Sequence, residues 1–287
     1  MRHHDTNSLI DDAGGVASRR RFLQGALRAC AGVVLSTAFL TAPSDAASLF
    51  AVPSVKDQKK IGRQASRQIL KRYKEIRDGR AAHFRQVGKR LVDVLSAADR
   101  KDWHFDFHVV DCADVDAYGL PGGPVFLFTG LYSLLTTDDE LAALTGHLMA
   151  QIRLQQWAKA YAKQQEHELG ISGLLTVLRP GGNVETLDGL AASAVDHKFT
   201  LVEEEQADDS GLVDIIAAGY NPHALIQLLQ TLQSLAASPG SAAFLSAHPI
   251  AIHRTDHAAQ AIASLAAHTQ FPPQTPLDYA ALKGAIP

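Results

Sequence analysis

Apolar residues recur at helical spacing along most of this chain, and strand-like runs are few and short. From Val55 to Ala98, aliphatic positions alternate with Lys, Arg and Gln at intervals of three and four, broken at Asp78-Gly79. That pattern predicts two helices, about Val55 to Arg77 and Ala81 to Ala97, with solvated basic faces. Trp103 to Val110 then changes period. Trp103, Phe105 and Phe107 fall on one side and His104, Asp106 and His108 on the other, as in a half-buried strand. Leu120-Pro121-Gly122-Gly123 marks a turn, and Pro124 to Phe128 reads as a second strand whose proline confines its start to a sheet edge. Thr137 followed by Glu140 is a capping-box pair, and Leu141, Leu144, His147, Leu148 and Gln151 continue at helical spacing. The helix is predicted to continue through Trp157 to Leu178, with a break near Gly170 to Gly173 and a loop at Arg179 to Asn183. A long helix follows from Leu187 to Ala218. Gly219 closes that helix and Pro222 opens an amphipathic one to Ala237. After a loop at Ser238 to Ser241, a last helix spans about Ile252 to Ala267, and the Pro-rich stretch from Phe271 reads as a loose tail. There is no internal repeat and no low-complexity tract. The elements predict a predominantly helical α+β fold.

Composition adds bounds rather than identity. The chain has 287 residues, 46% hydrophobic and 20% charged, which suits a globular protein of one large or two small domains. The charge balance is not extreme and nothing resembles a nucleic-acid footprint, so a nucleic-acid partner is not expected.

The amino terminus reads as an address. Ser18-Arg19-Arg20-Arg21-Phe22-Leu23 is a twin-arginine export pattern. A moderately apolar run from Gly25 to Ala42 follows it, and Ser44-Asp45-Ala46 offers small residues for cleavage. Arg28 inside the apolar run disfavours a permanent membrane anchor, and Cys30 lies too early for a lipoprotein pattern. The expected division is a cleaved signal over residues 1–46 and one domain over 47–287. The expected locations are the periplasm or another exported compartment, reached through the twin-arginine machinery. Cleavage leaves 22 basic and 26 acidic side chains, and Cys112 as the remaining thiol, so no internal disulfide is possible.

Candidate chemistry lies on the helix that starts at Asp138. His147 and Gln151 are four apart and share one face. On a zinc peptidase that face reads His-Glu-x-x-His, two histidines holding the metal and the glutamate taking a proton from the bound water. Here it reads His147-Leu148-Met149-Ala150-Gln151. A lone histidine on an apolar helix face is by itself a core residue. The histidines of the first strand could also ligate a metal, although a solvated strand face is the simpler reading.

Several separated stretches together resemble one family. Asp116 to Leu131 is similar to a strand-and-turn signature ending in Gly-Leu. Asp139 to Gln151 resembles a zinc helix entered through an acidic-Glu-Leu-Ala segment. Glu204 to Gly211, with Ala218 to Pro222, resembles a second ligand helix, and His248, Pro249 and Arg254 match a His-Pro-x-x-x-x-Arg pattern. The family is metallopeptidase family forty-eight, the zinc endopeptidases that include CAAX prenyl proteases, HtpX and the soluble exported BepA-like members. The likeness runs from about Val55 to Arg254. It implies a zincin-like core with a small sheet, whose edge strand borders an active-site cleft. It implies metal-ligand positions at His147 and Glu204, with His248 able to approach the metal, and Asp208 as the carboxylate that orients a ligating histidine. It also places an extended substrate along Gly123, Pro124, Val125, Phe126 and Leu127.

The departures from the family pattern shape the function. Leu148 stands at the general base, whose loss alone lowers rates by a factor of about 10²–10⁴. Gln151 stands at the second histidine, and a neutral amide is a poor zinc donor. Thr200-Leu201 replaces a Ser-Arg pair. Glu203 and Glu205 point about 100° away from Glu204 on a helix, so neither is placed to serve as base. The expectation is a catalytically inactive pseudopeptidase that binds extended or unfolded polypeptide, with zinc weak or absent. The alternative is an active zinc endopeptidase with a site rebuilt on His147, Glu204 and His248. A product of gene decay is a third reading.

Overall fold

A computed structural model describes residues 52–164, 187–235, 241–250, 252–266 and 270–285. The expected export signal over 1–46 lies outside the described residues, as do the breaks and loop expected between 165 and 186.

Helix α1, Val55–Arg72, starts at Ser54, whose hydroxyl accepts the Asp57 N–H, and it buries Ile61, Ala65 and Ile69. It ends before the predicted Arg77 because Tyr73 is extended and Glu75–Ile76 leave as β1 to pair with the strand Asp106–Val110. Asp78 then caps α2, Gly79–Val94, accepting from the Arg80 backbone and guanidinium. Ser96 caps the short α3, Ala97–Asp102.

The sheet has four strands in the order β1-β2-β4-β3, with β2 at Asp106–Val110, β3 at Ala117–Gly119 and β4 at Pro124–Phe128. β2 and β4 run parallel from Asp106 opposite Pro124 to Val110 opposite Phe128, and the outer pairs are antiparallel. This overturns the reading of Pro124 to Phe128 as an edge. β4 is paired on both sides, and Val125, Phe126, Leu127 and Phe128 are all fully buried. Pro124 is tolerated there because it is the first residue of the strand, where its missing N–H breaks no ladder bond. One true edge is β3, which sequence periodicity did not mark as a strand because it is three residues long.

A turn of helix, α4 at Thr129–Tyr132, leads to α5, Asp138–Arg153. The capping box expected at Thr137 and Glu140 is present, with both reciprocal bonds made. α5 is buried from Asp139 to Ile152 and forms the centre of the fold. A helical stretch, α6 over 156–164, follows a two-residue break. The long helix expected from Leu187 to Ala218 is two helices: α7 at Leu187–Val195, which packs on α1, and α8 at Leu201–Ala217. Thr200 starts α8 through a second capping box with Glu203. α9, His223–Ser234, packs on α5 and on α11, Ile252–Ala266, and the short α10 spans Ala242–Ala247.

The Pro-rich tail is not loose. Thr275 accepts the Asp138 N–H at 2.8 Å, Leu277 donates to Thr136 at 2.9 Å, and the Asp139 carboxylate takes the Thr275 N–H at 2.7 Å. Tyr279 starts α12, Tyr279–Gly284, and packs its ring on Tyr132 while Arg80 donates to its hydroxyl. The fold is thus α+β, predominantly helical, with a small mixed sheet and a zincin-like pairing of α5 with α8.

Candidate functional site

The site is made where α5 crosses α8. The crossing is close because glycines face each other. A Cβ on Gly211 would lie 2.8 Å from the His147 amide nitrogen and 2.9 Å from the Gly146 carbonyl carbon. That approach brings the α5 face carrying His147 and Gln151 against the α8 face carrying Glu204 and Asp208. All four side chains are buried.

His147 Nδ1 lies 2.8 Å from Asp208 Oδ1, so the ring gives that proton to Asp208. Glu204 Oε1 receives His248 Nδ1 at 2.9 Å. Arg254 closes the far side: it grips Asp208 with two bonds of 2.9 Å and Glu204 Oε2 with one of 2.6 Å. Two rings clamp His248, Phe199 at 4.9 Å and Phe244 at 4.7 Å between centroids. Burial works against every charge here, but the partners win. Glu204 is held well below the usual carboxylate range by His248 and His147 despite its desolvation, and Asp208 is lowered by His147 and Arg254. Desolvation disfavours a charged His147, yet Glu204 and Asp208 together push its pKa up to about 9. The second proton would sit on Nε2 and face Glu204 Oε2, 3.6 Å away.

His147, Glu204 and His248 each bring one donor atom within 4.8 Å of the others, a spacing at which one metal ion could be shared. The resemblance places a zinc ion here, and Gln151 tests the fit. Its Nε2 lies 3.0 Å from His147 Nε2, 3.0 Å from Glu204 Oε1 and 3.4 Å from His248 Nδ1. An amide nitrogen carries hydrogens and no ligating lone pair. Turning the amide over would set its oxygen 3.0 Å from a carboxylate oxygen, two acceptors face to face. In this orientation Gln151 donates to Glu204 Oε1 and sets its amide nitrogen among the atoms that would hold the metal. With the amide nitrogen turned this way, Gln151 does not present zinc with a ligand atom.

Leu148 is 1% exposed and packs in the main core with Leu141, Leu144 and Met149. It also borders β3: a Cβ on Gly119 would stand 2.7 Å from the Leu148 carbonyl oxygen. The edge beside the site is therefore β3. Leu120 N–H donates to Pro124 and Phe128 N–H to Asp116. In an antiparallel ladder this sets Tyr118 toward β4 and turns the backbone groups of Gly119 outward. The segment from Gly123 to Leu127 does not line an edge.

The two neighbouring glutamates have other tasks. Glu203 accepts the Thr200 N–H and hydroxyl, and Glu205 pairs with His253 at 2.8 Å. His108 of β2 is held between Glu75 and Asp106 at 2.6 and 3.1 Å, away from any metal-type group among the described residues. Sequence reasoning entered Arg254 only as a motif position and did not find Phe199, Phe244 or β3. The motif that supplied His248 carried Arg254 with it, whereas a ring stacked on a ligand leaves no spacing signature.

Comparison with known proteins agrees with this geometry. The family model described as "Peptidase family M48" matches residues 79–262. The chain is 28% identical over 158 residues to the beta-barrel assembly-enhancing protease of Yersinia pestis, covering 52% of this chain and 32% of that protein. It is 31% identical over 165 residues to the mitochondrial metalloendopeptidase OMA1 of Bos taurus, covering 52% of this chain and 31% of that protein. Against the OMA1 metalloendopeptidase of Schizosaccharomyces pombe, identity is 25% over 240 residues, 80% of this chain and 68% of the other. This chain thus spans about a third of the length of the first two relatives.

Proposed function

This chain belongs to peptidase family M48, and we propose that it is a member that binds extended polypeptide without hydrolysing it. One observation carries the reading: the Gln151 amide nitrogen lies against all three atoms that would share the metal. Peptide hydrolysis on this scaffold needs a polarising ion and a base for the attacking water. Gln151 opposes the first. Leu148, buried and without a proton acceptor, cannot supply the second.

Polypeptide binding draws its support from β3. Its outer edge runs beside α5, next to Leu148, and a strand added there would bond to the Gly119 backbone groups without any metal, while the Ala117 N–H is already taken by Asp116. The catalytic reading built on His147, Glu204 and His248 has their convergence in its favour, but it has no base and must first turn Gln151. Location in an exported compartment is part of the proposal and rests on Ser18 to Leu23. No helix among the described residues is long and apolar enough to cross a membrane.

Purified protein incubated with unfolded casein tests both halves. The expected result is retention of casein on the protein with no new fragments. Fragments that disappear in Glu204→Ala would overturn the proposal.

A further inference from the structure

Charge is divided unevenly along this chain. Between Val55 and Arg77, nine Lys and Arg stand against two carboxylates, Asp57 and Glu75, whereas the remainder of residues 47–287 carries 13 basic and 24 acidic side chains. Helix α1 sorts the cations further. Lys56, Lys60, Arg63, Arg67 and Lys71 recur at spacings of four, three, four and four, and all five are exposed. At about 100° per residue they fall within an arc of about 80°. The buried face of Ile61, Ala65 and Ile69 lies opposite them.

Little within the protein neutralises this stripe. Among the described residues its ion pair is Lys60 with Asp57, 3.1 Å apart between two half-exposed side chains, where water weakens the attraction. Arg67 donates to Gln64, an uncharged partner. Asp188 of the neighbouring α7 accepts from Gln64 at 2.5 Å and Gln68 at 3.1 Å, on the flank of the helix. The helix beneath is firmly seated. A Cβ on Gly62 would collide with the Pro121 carbonyl, so α1 lies hard against the turn that precedes β4. Leu70, three residues after Arg67, is 36% exposed at the margin of the same face.

We propose that the outer face of α1 docks on a bilayer surface that carries anionic phospholipid headgroups. The division of charge sets both the attraction and its direction. Headgroup phosphates attract the stripe and repel the acidic remainder, so the chain meets the membrane with α1 foremost. A single straight helix face presents its cations to a plane at one depth, and Lys and Arg stems are long enough to reach into the headgroup layer. Leu70 adds an apolar contact there. A nucleic acid is the weaker match, because Val55 to Arg72 contains no aromatic residue on which a base could stack.

The test is partition of the purified full chain onto vesicles at about 0.1 M salt. One set is phosphatidylcholine alone, and the other is three parts phosphatidylcholine to one part phosphatidylglycerol. The parent is compared with a fourfold α1 variant, Lys60→Gln, Arg63→Gln, Arg67→Gln and Lys71→Gln. A control variant makes the same change of charge at exposed sites elsewhere: Arg85→Gln, Lys101→Gln, Lys163→Gln and Lys283→Gln. All three share the amino-terminal segment, so its contribution cancels. The parent is expected to prefer the mixed vesicles, the α1 variant to lose about tenfold or more of that binding, and the control to lose less than about twofold. No preference for the mixed vesicles, or equal losses in the two variants, overturns the proposal. Tighter binding of the parent to duplex DNA or to polyglutamate than to the mixed vesicles, lost in the α1 variant, also overturns it and gives the stripe to that polyanion. If the fourfold variant does not fold, Arg63→Gln with Arg67→Gln decides, with an expected loss of about fivefold.

Discussion

A glutamine and a histidine one turn after His147 reach the same point, but the atom each delivers is different. Imidazole brings a lone pair, while the Gln151 amide nitrogen brings a hydrogen to Glu204. Arg254 and a protonated His147 then balance the charges of Glu204 and Asp208 without a metal. On the proposed reading, restoring the base by itself is not expected to restore hydrolysis. Leu148→Glu is expected to show no hydrolysis of casein and a lowered melting temperature, since it sets a carboxylate in a fully buried apolar site. The pair Leu148→Glu with Gln151→His is expected to gain hydrolysis, because base and metal act as a unit and their effects do not add. Activity in the single variant would show that Gln151 does not disable the site. The proton on His147 gives an independent reading. Its folded pKa of about 9 lies above that of a free imidazole, about 6.5. That stabilisation is complete below the unfolded value and is lost as pH rises through 9. The melting temperature should fall between pH 6.5 and pH 9, and the fall should shrink in His147→Gln. Thermal melts across that range check it.

Among the elements, α5 and α8 set the site because glycines let them touch. Gly211→Ala would drive a methyl group into the α5 backbone at His147. It should cost about 1–3 kcal/mol of stability, as overpacking does. Gly284→Ala in α12, with nothing within 4 Å of the added methyl, should stay within about 0.5 kcal/mol of the parent. Denaturant melts of the two variants compare them directly. The same elements show what the sequence makes legible. The start of α5 and the pair His147 and Gln151 could be read from capping chemistry and period, because those signals are local; its end at Arg153 was not read. β4 was placed correctly in the chain but wrongly in the sheet. Strand order is decided by pairing with β2 and β3, which no residue within β4 reports. The α7–α8 break was missed because Thr200 and Glu203 form a capping box inside an otherwise helical pattern. The tail was read as loose from its prolines, yet Thr275 and Leu277 bond to the segment that starts α5. The Gln151 amide orientation depends on Glu204, 53 residues away in the chain, and no spacing rule reveals it.

For the whole molecule, the account is of an M48 fold that keeps a peptidase's frame and replaces the centre of its chemistry. Export belongs to this scale. Arg19→Lys with Arg20→Lys is expected to leave the precursor in the cytoplasm, as read by fractionation, while continued export would assign the general secretion route. The central claim is that Gln151 has taken the metal's place, and zinc stoichiometry tests it most directly. Parent protein and Gln151→His, purified together and titrated with zinc by calorimetry, should separate cleanly. The account predicts no zinc retained by the parent and about one zinc per chain in Gln151→His, bound through His147, the new histidine and Glu204. One tightly held zinc in the parent, lost in Glu204→Ala, would contradict it.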